Sequence, residues 1–337
     1  MMSYPSHPYS YSIAIALFLL AVLPTPFRAG AQQLPQFALT PWTLVEMNPA
    51  ATGAQDELIF NGAARRQWNN LPGSPSGYHI SAHMPLPAIQ SGVGVSLLQD
   101  QIGLQTQLEA TVTYAYHMPL GRRWTLHGGL AAGLFQSGLD GSGIRTPDGQ
   151  YPDGGGLDHQ DGFLPNGAVN ATAPLLHAGI MIDDEVWQFG TAMRYAQGGN
   201  LKYSGADEQA AMSIQPHLLA HASWSWETGN AVFRPTAMFL SDFRHWQLTT
   251  QLNLIWRERF ILGGGYRGLN EDTRDSLLVT AGLYISERFL FLYAYEAGLS
   301  ELRQVHNGSF EVMIQYRLPS TVSKGKLPGI IYNPRFL

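Results

Sequence analysis

The residues that could hold a metal ion come in two histidine pairs. His217 and His221 stand four residues apart, as do His79 and His83. On a helix that spacing places two imidazoles on one face, where they could ligate zinc. On a β-strand, which rises about 3.3 Å per residue, the same spacing separates the rings by ~13 Å, too far for a shared ion. No H-E-x-x-H motif is present, so we interpret these histidines as polar strand residues and predict no metal site.

Two further patterns could bind ligands. Gly263, Gly265 and Gly268 match G-x-G-x-x-G, but a dinucleotide site needs a strand, the glycine turn and then a helix, and here a strand continues into a loop. Four aspartates with potential calcium-binding oxygens are Asp148, Asp153, Asp158 and Asp161. Their spacing is not that of an EF-hand, and a solvated Gly-Asp loop is the interpretation that we favour. The sequence therefore predicts no cofactor.

The composition excludes several classes of protein. The 337 residues include no cysteine, which excludes a disulfide framework, a thiolate metal site and a cysteine nucleophile. No G-x-S-x-G motif occurs, and we predict a protein that is not an enzyme. The net charge of -5 argues against a nucleic-acid partner. Only 13% of the residues are charged, against roughly 25% in a soluble domain, so part of the surface faces something other than water.

Alternating apolar and polar residues indicate β-strands. In residues 246–256, Trp246, Leu252 and Trp256 share one face, while Gln247 and Gln251 share the other, a period of two that is typical of a half-buried strand. Such runs reach about ten residues, whereas strands of soluble sandwiches are nearer five or six. About fourteen segments begin near Glu57, Gly77, Gly92, Gln105, Arg123, Pro174, Glu185, Ile214, Asn230, His245, Arg259, Asp275, Phe289 and Asn307.

The connections between these segments alternate in length. The short ones are 87–91, 118–121, 183–184, 227–229, 257–258 and 286–288, and the clearest long ones are 137–173, 197–213, 268–274 and 298–306. Two connections, near 101–104 and 241–244, are short where long ones are expected. Short turns on one side and long loops on the other are typical of an outer-membrane barrel. We predict an all-β fold, a transmembrane antiparallel up-and-down β-barrel of about 14 strands over residues 57–318.

The N-terminus indicates export. Residues 13–23 form an apolar run too short to span a bilayer as a helix, and Pro24, Pro26 and the small residues 29–31 follow it. This pattern predicts a secretory signal peptide at residues 1–31. We expect residues 32–56 to form an N-terminal periplasmic segment and residues 319–337 a C-terminal tail. The expected location is the cell outer membrane.

Several short motifs follow one another along the chain. They are N-P-A-A-T-G at 48–53, A-A-R-R-Q-W at 63–68, G-S-P at 73–75, G-V-G-V-S at 92–96, Q-D-Q-I-G at 99–103, Y-A-Y at 114–116 with P-L at 119–120, G-G-Y-R at 264–267, Y-A-Y-E at 293–296 and G-S-F-E-V at 308–312. In this order they resemble the PorP/SprF family, outer-membrane proteins of the type IX secretion system. Phe310 departs from the family pattern, which often has histidine there.

This resemblance implies a function. A protein of this kind is expected to be a barrel of the type IX secretion and gliding machinery. It would dock a secreted adhesin, or the C-terminal sorting domain of the adhesin, at the cell surface. Its other expected partners are outer-membrane lipid and periplasmic, peptidoglycan-associated secretion components.

The motifs also supply candidate residues for partner binding or for the barrel mouth. They are Asn48, Pro49, Gly53, Arg66, Trp68, Asp100, Tyr266, Arg267, Glu296 and Glu311. A turn that closes the periplasmic mouth would explain the first three equally well. Arginines at strand ends can bind an anionic partner or lipid phosphates, or can pair with lumenal carboxylates such as Glu109, and we favour a structural role for them.

Two alternatives to docking come from other functional classes. A transport barrel for small hydrophobic or polar solutes would need a continuous lumen, whereas docking favours a plugged one. An outer-membrane enzyme would need a nucleophile and a base clustered at one rim.

Overall fold

The computed structural model describes residues 34–151, 157–161, 164–203, 211–268 and 275–319. The predicted signal peptide, residues 1–31, lies outside these ranges, as do residues 320–337 of the predicted tail. Within the described ranges, no helix is both long and apolar enough to cross a membrane.

The alternating segments form strands, because side chains on successive residues of a pleated strand point to opposite faces. The strands are β1 (Glu57–Arg66), β2 (Ser76–Leu86), β3 (Ser91–Ile102), β4 (Gln105–Leu120), β5 (Trp124–Asp140), β6 (Ala168–Asp183), β7 (Trp187–Arg194), β8 (Gly199–Lys202), β9 (Ala211–Ile214), β10 (His217–Trp224), β11 (Trp226–Thr228), β12 (Ala231–Ser241), β13 (Trp246–Trp256), β14 (Phe260–Arg267), β15 (Ser276–Ser286), β16 (Phe289–Gly298) and β17 (Ser309–Pro319).

The wall strands pair in chain order and close into a cylinder. β10 and β11 are two parts of one wall strand, because both pair with β12, so the wall contains fourteen strands. At the seam, β1 pairs antiparallel with β17 from Glu57↔Pro319 to Arg66↔Phe310. A closed sheet leaves no strand edge unpaired in lipid. The predicted 14-strand up-and-down barrel is confirmed.

The two ends of the barrel differ in their connections. The short-turn end has the turns 87–90, 121–123, 184–186, 229–230, 257–259 and 287–288. The long-loop end has the connections 67–75, 141–167, 195–216, 268–275 and 299–308, with short ones at 103–104 and 242–245. In outer-membrane barrels the short turns face the periplasm and the long loops face the exterior.

The outer face is apolar and the inner face is polar. On β4, Val112 is 66% exposed, whereas its neighbour Thr111 points inward and is buried. At the short-turn end, Trp187 of β7 stacks on Trp224 of the neighbouring β10 with ring centroids 5.5 Å apart, and Trp224 stacks on Trp226 of the same wall strand at 6.2 Å. Aromatic rings at such a rim lie where the membrane meets water.

Three boundaries differ from the sequence prediction. The longest loop covers 141–167 and not 137–173, because β5 and β6 remain paired as far as Asp140↔Ala168. The loop expected at 197–213 contains the hairpin β8–β9, which pairs from Gly199↔Ile214 to Lys202↔Ala211. Strand β17 includes Pro319, which the prediction placed in the tail.

The largest difference concerns residues 34–56, called the internal segment below. The sequence predicted an N-terminal periplasmic segment at 32–56, but the described part packs inside the barrel, where Phe37, Leu39 and Asn48 are at most 5% exposed. The segment contains 3-10 turns at Thr40–Trp42 and Pro49–Ala51 and a one-turn helix, α1 (Leu44–Met47). The prediction was wrong because the alternation of apolar and polar residues identifies strands only. It does not show that side chains in the lumen can form hydrogen bonds with the backbone of a segment that has no strands.

The depth of a residue on the lipid face sets the cost of placing a charge there. We predict that Val112→Arg, at the middle of β4, lowers the free energy of unfolding by about 2–4 kcal/mol, whereas Leu120→Arg, at the end of the same strand and face, lowers it by about 0–1 kcal/mol. Denaturant titrations of the barrel in lipid vesicles measure both values. Equal costs at the two positions would contradict a membrane-embedded β4.

Candidate functional site

Glu311 holds the backbone of the internal segment. Its Oε2 accepts a hydrogen bond from the N–H of Ala38 at 2.6 Å, and its Oε1 accepts one from the N–H of Leu39 at 3.0 Å. Glu311 lies on β17, faces the lumen and is 2% exposed. Hydrogen bonds to a charged group contribute about 1.5–3 kcal/mol each. One predicted candidate residue thus binds the chain's own N-terminal segment.

Three other lumenal side chains donate to carbonyl groups of the same segment. The bonds run from Gln251 Nε2 to the Ala38 carbonyl at 2.7 Å, from Arg267 Nη2 to the Phe37 carbonyl at 3.4 Å and from Gln315 Nε2 to the Trp42 carbonyl at 3.4 Å. We call Glu311, Gln251, Arg267 and Gln315 the backbone clamp. Its four members come from three different strands, and they partner both donors and acceptors of the segment.

Apolar side chains complete this part of the site. Phe37 and Leu39 belong to one buried cluster with wall residues. The largest of these are Leu98, Ile261, Leu278, Leu290, Leu292 and Met313. Full burial of a side chain such as Phe or Leu stabilises by about 1.5–3 kcal/mol. The tripeptide 37–39 is therefore held by polar contacts to its backbone and by apolar contacts to its side chains.

A buried ion cluster lies beside the clamp. Glu296 Oε2 is 3.0 Å from Arg267 Nη1 and 3.4 Å from Arg65 Nη2. Ser276 Oγ lies 3.4 Å from the same oxygen. Asp100 is buried on β3 directly opposite Gly77 of β2. The cluster fixes Arg267, which also belongs to the clamp, so the ion pairs and the segment contacts depend on each other.

A second ion cluster is centred on Glu109 of β4. Arg194 Nη2 donates to both of its oxygens, at 2.7 and 2.8 Å. The Tyr195 hydroxyl donates at 2.8 Å, and His177 Nε2 lies at 2.9 Å. The sequence analysis named Glu109 as a lumenal carboxylate, but it missed these three partners, because they lie on or next to β6 and β7 and no sequence motif connects them to β4.

Helix α1 places one carboxylate of the internal segment against the wall. Glu46 Oε1 lies 2.6 Å from Nδ1 of His79 on β2. Burial raises the pKa of the Glu46 carboxyl, and the neighbouring His79 ring opposes this shift. The contact anchors the middle of the segment. Residues 37–42, which the backbone clamp holds, lie on one side of it, and the turn at residues 48–53 lies on the other.

The turn at residues 48–53 packs on a glycine-rich wall. Asn48 is fully buried, and its Nδ2 donates to the Ile180 carbonyl at 3.1 Å. Its Oδ1 accepts from the N–H of Ala50 at 3.0 Å, which caps the 3-10 turn that begins at Pro49. A Cβ atom on Gly129 would lie 2.3 Å from the Ala50 nitrogen. The wall strand can approach the turn this closely only because residue 129 has no side chain.

Gly53 ends the turn near the short-turn end of the barrel. Its φ of +69° favours glycine, and its N–H donates to His83 Nδ1 at 3.3 Å. At the other end of the segment, Leu34 belongs to a buried cluster with Phe135 and Tyr195 near the long-loop end. The internal segment therefore runs through the lumen from one end of the barrel towards the other. The predicted mouth turn exists, but it lies within the barrel.

A cavity of about 280 Å³ remains between the internal segment and one side of the wall. Its lining includes Trp42, Arg234, Gln247, Gln251 and Arg267. It reaches from the long-loop end of β13 to the short-turn end of β12. In the described part of the chain, no group of three or more His, Asp or Glu residues could hold a metal ion. Of the four loop aspartates, Asp153 lies outside the described residues.

The sequence decides the family. Residues 29–316 match the family model of the type IX secretion system membrane protein PorP/SprF. The chain belongs to the PorP/SprF family. This confirms the resemblance drawn from the motifs, and together with the barrel fold it assigns the protein to the outer membrane. Among curated proteins, none matches the chain.

Solved outer-membrane barrels resemble this PorP/SprF protein only distantly. The toluene transporter TodX of Pseudomonas putida has a TM-score of 0.48 at 10% identity, and the match covers 82% of this chain and 93% of TodX. A FadL homologue of Pseudomonas aeruginosa gives 0.47 at 10% identity, with 86% and 96% covered. Omp33 of Acinetobacter baumannii gives 0.43 at 7%, with 78% and 98% covered. Since these three scores are below 0.5, the fold assignment depends on the strand pairing described above.

The structure divides the candidate residues of this PorP/SprF barrel into two groups. Those inside the barrel are Asn48, Pro49, Gly53, Asp100, Arg267, Glu296 and Glu311. Arg66 and Tyr266 lie on outward positions, whereas Arg65, next to Arg66, is the arginine that enters the lumen. Trp68 follows β1 at the long-loop end and is half-buried, with its ring centroid 6.4 Å from that of His306.

The central carboxylate of the first ion cluster is expected to carry a large part of the stability. We predict that Glu296→Gln destabilises the folded barrel by about 3–5 kcal/mol, because Arg65 and Arg267 lose their buried counter-ion. Arg66→Gln, on the outward face of the same strand as Arg65, should change stability by no more than about 0.5 kcal/mol. Urea unfolding in detergent micelles measures the stability of both variants. A similarly small loss of stability in the two variants would contradict the buried ion cluster around Glu296.

Two adjacent glycines of β5 provide a matched test of the turn contact. We predict that Gly129→Ala destabilises the packed turn by about 1–3 kcal/mol, because the new methyl group overlaps the 49–50 backbone. A Cβ on Gly128 would meet no atom within 4 Å, so Gly128→Ala should leave the turn unchanged. Protease sensitivity of the linker at the exposed residues Gln55 and Asp56 is the measurement. Equal sensitivity of both variants would show that the turn does not pack on β5.

Proposed function

We propose that this barrel is a non-enzymatic component of type IX secretion and gliding machinery that docks a secreted adhesin, or the C-terminal sorting domain of the adhesin, at the cell surface. The observation that carries the proposal is the internal segment inside the lumen. The internal segment extends from Leu34, near the long-loop end, to Gly53, near the short-turn end. Free diffusion of solutes needs a continuous aqueous path, whereas docking is compatible with a plugged barrel.

The long-loop end supplies an ordered surface for such docking. The connections 67–75 and 299–308 are joined by hydrogen bonds from the Asn69 N–H to the Gly308 carbonyl at 2.8 Å and from the Asn307 N–H to the Asn69 carbonyl at 2.9 Å. The Trp68 N–H also donates to Ser309 Oγ at 3.2 Å. A pre-ordered surface loses less conformational entropy on binding, which favours recognition of a folded domain. This supports Trp68 as a contact residue.

The remaining partners follow from the orientation of the barrel. Short turns of outer-membrane barrels face the periplasm, so we assign the short-turn end to contacts with periplasmic, peptidoglycan-associated components. The apolar outer face, including Val112 and Leu262 at 66% and 61% exposure, would contact outer-membrane lipid. Export would use the predicted signal peptide at residues 1–31.

A transport barrel for small hydrophobic or polar solutes is the second candidate. The cavity of about 280 Å³ beside the internal segment favours it, because a small solute could occupy this space. Its polar lining includes Arg234, which contacts Ser225 Oγ at 3.3 Å. The cavity reaches from the long-loop end of β13 to the short-turn end of β12, and transport would additionally require that it open to water at both ends.

Docking and transport predict opposite phenotypes. We expect deletion of the gene to abolish surface display of the cognate adhesin, because no barrel would remain to hold it, while uptake of small solutes continues unchanged. Antibody labelling of intact cells measures display, and radiolabelled solute accumulation measures uptake. Complementation with the intact gene is the control and should restore display. Loss of uptake with display retained would replace the docking proposal by the transport proposal.

A further inference from the structure

The contacts between the barrel wall and residues 37–42 are directed at the backbone. Glu311 accepts two consecutive N–H groups, and Gln251, Arg267 and Gln315 each donate to a carbonyl group. None of these bonds depends on the identity of a side chain in the segment. The requirement they impose is that the residues bound at positions 38 and 39 carry an N–H group, which excludes proline there. Such a set of contacts recognises a peptide chain in general.

Side-chain selectivity at the same place comes from the apolar cluster. Phe37 and Leu39 are 5% and 0% exposed, while Ala38 between them is fully buried with its N–H on Glu311. The geometry therefore suits a tripeptide with large apolar side chains at its first and third positions and a small residue between them. A chain with a charged residue at either outer position would bury that charge among leucines, which is unfavourable.

The wall does not need the internal segment for its own hydrogen bonding. The wall strands pair with one another around the whole circumference, and the seam joins Glu57–Arg66 to Ser309–Pro319 without any contribution from residues 34–56. The backbone clamp consists only of wall side chains. Another polypeptide could consequently occupy the clamp while the barrel stays closed.

Space for an incoming chain adjoins the clamp. The cavity of about 280 Å³ is lined by three members of the clamp, Gln251, Arg267 and Gln315, and by Phe37 and Trp42 of the internal segment. A second peptide entering this cavity would lie next to the three side-chain donors that hold the resident segment. Exchange of one peptide for the other can then proceed by stepwise replacement of hydrogen bonds.

We propose that the lumen is a peptide-binding site, occupied in cis by residues 37–42, and that an apolar segment of the secreted partner binds the backbone clamp by displacing them. The identity of the occupant as part of a secreted polypeptide rests on the proposed function, whereas the ability of the site to bind a peptide does not. The resident segment competes as a tethered ligand, with an effective concentration of about millimolar. The partner must therefore bind more tightly than the resident or be held nearby by the long loops.

The absence of cysteine from the chain makes the displacement measurable with one thiol. In the full-length Ala38→Cys variant, the thiol lies at a position that is fully buried in the folded protein. The probe is a synthetic peptide of residues 34–47, added to the purified barrel in detergent. We expect millimolar peptide to increase the rate of maleimide labelling at least 10-fold, because displacement exposes residue 38.

The matched control variant is Ala294→Cys. Ala294 is also fully buried and belongs to the same apolar cluster, but it lies on the wall strand β16. The incoming peptide restores the apolar cluster around it, so its labelling should stay unchanged. Faster labelling of both variants would mean that the peptide unfolds the barrel, and this result would overturn the proposal.

A second peptide tests the backbone contacts without changing the protein. N-methylation at the positions of Ala38 and Leu39 keeps both side chains and removes the two N–H donors to Glu311. Since each charged hydrogen bond contributes roughly a factor of ten or more, we expect this peptide to compete about 100-fold less well. Equal competition by the two peptides would show simple apolar partitioning and would overturn the proposal.

The display assay separates this inference from the proposed function. If gene deletion abolishes display but neither peptide exchanges with the resident segment, the docking proposal is supported and the lumenal peptide site is overturned. If the unmodified peptide exchanges but display persists in the deletion strain, the peptide site is supported and the docking proposal is overturned. If exchange instead opens vesicles to small solutes and display persists, the displaced segment is a gate for transport, and the assignment of the site to a secreted partner is overturned.

Discussion

Lipid provides no hydrogen-bond partners for a polypeptide backbone, and this constraint determines the rest of the structure. The wall meets it by closing on itself, with β1 paired to β17. Closure separates two environments, since each strand turns one face to the acyl chains and the other to the lumen. The 13% charged residues of the sequence suffice for such a protein because its largest surface is never exposed to water.

The lumen faces a related problem on a smaller scale. Buried charges are stable only with partners, and Glu109 with Arg194 and Glu296 with Arg65 and Arg267 satisfy one another. The internal segment lacks a strand neighbour, so its backbone groups need side chains as partners. Glu311 and Gln251 supply them. The polar interior and the internal segment are therefore linked by side chains such as Arg267, which contacts both Glu296 and the Phe37 carbonyl.

The sequence predicted the wall well because period-two alternation directly reflects a strand with two different surroundings. It also gave the alternation of short and long connections, including the two exceptions. The side-chain contacts inside the lumen could not be predicted in this way. The partners of Glu109 come from β6 and β7, more than 60 residues away in sequence, and no local pattern records such pairings. The alternation of faces along β1 would have identified Arg65 and not Arg66 as the lumenal arginine, since Arg65 shares its face with the inward Asn61 and Ala63.

The position of Glu311 on the final strand has a consequence for biogenesis. The carboxylate that binds residues 38 and 39 lies more than 270 residues after them in the chain. The clamp on residues 38 and 39 is therefore incomplete until the last strand docks beside the first. A chain interrupted before β17 would have both an open sheet and a clamp without Glu311 and Gln315.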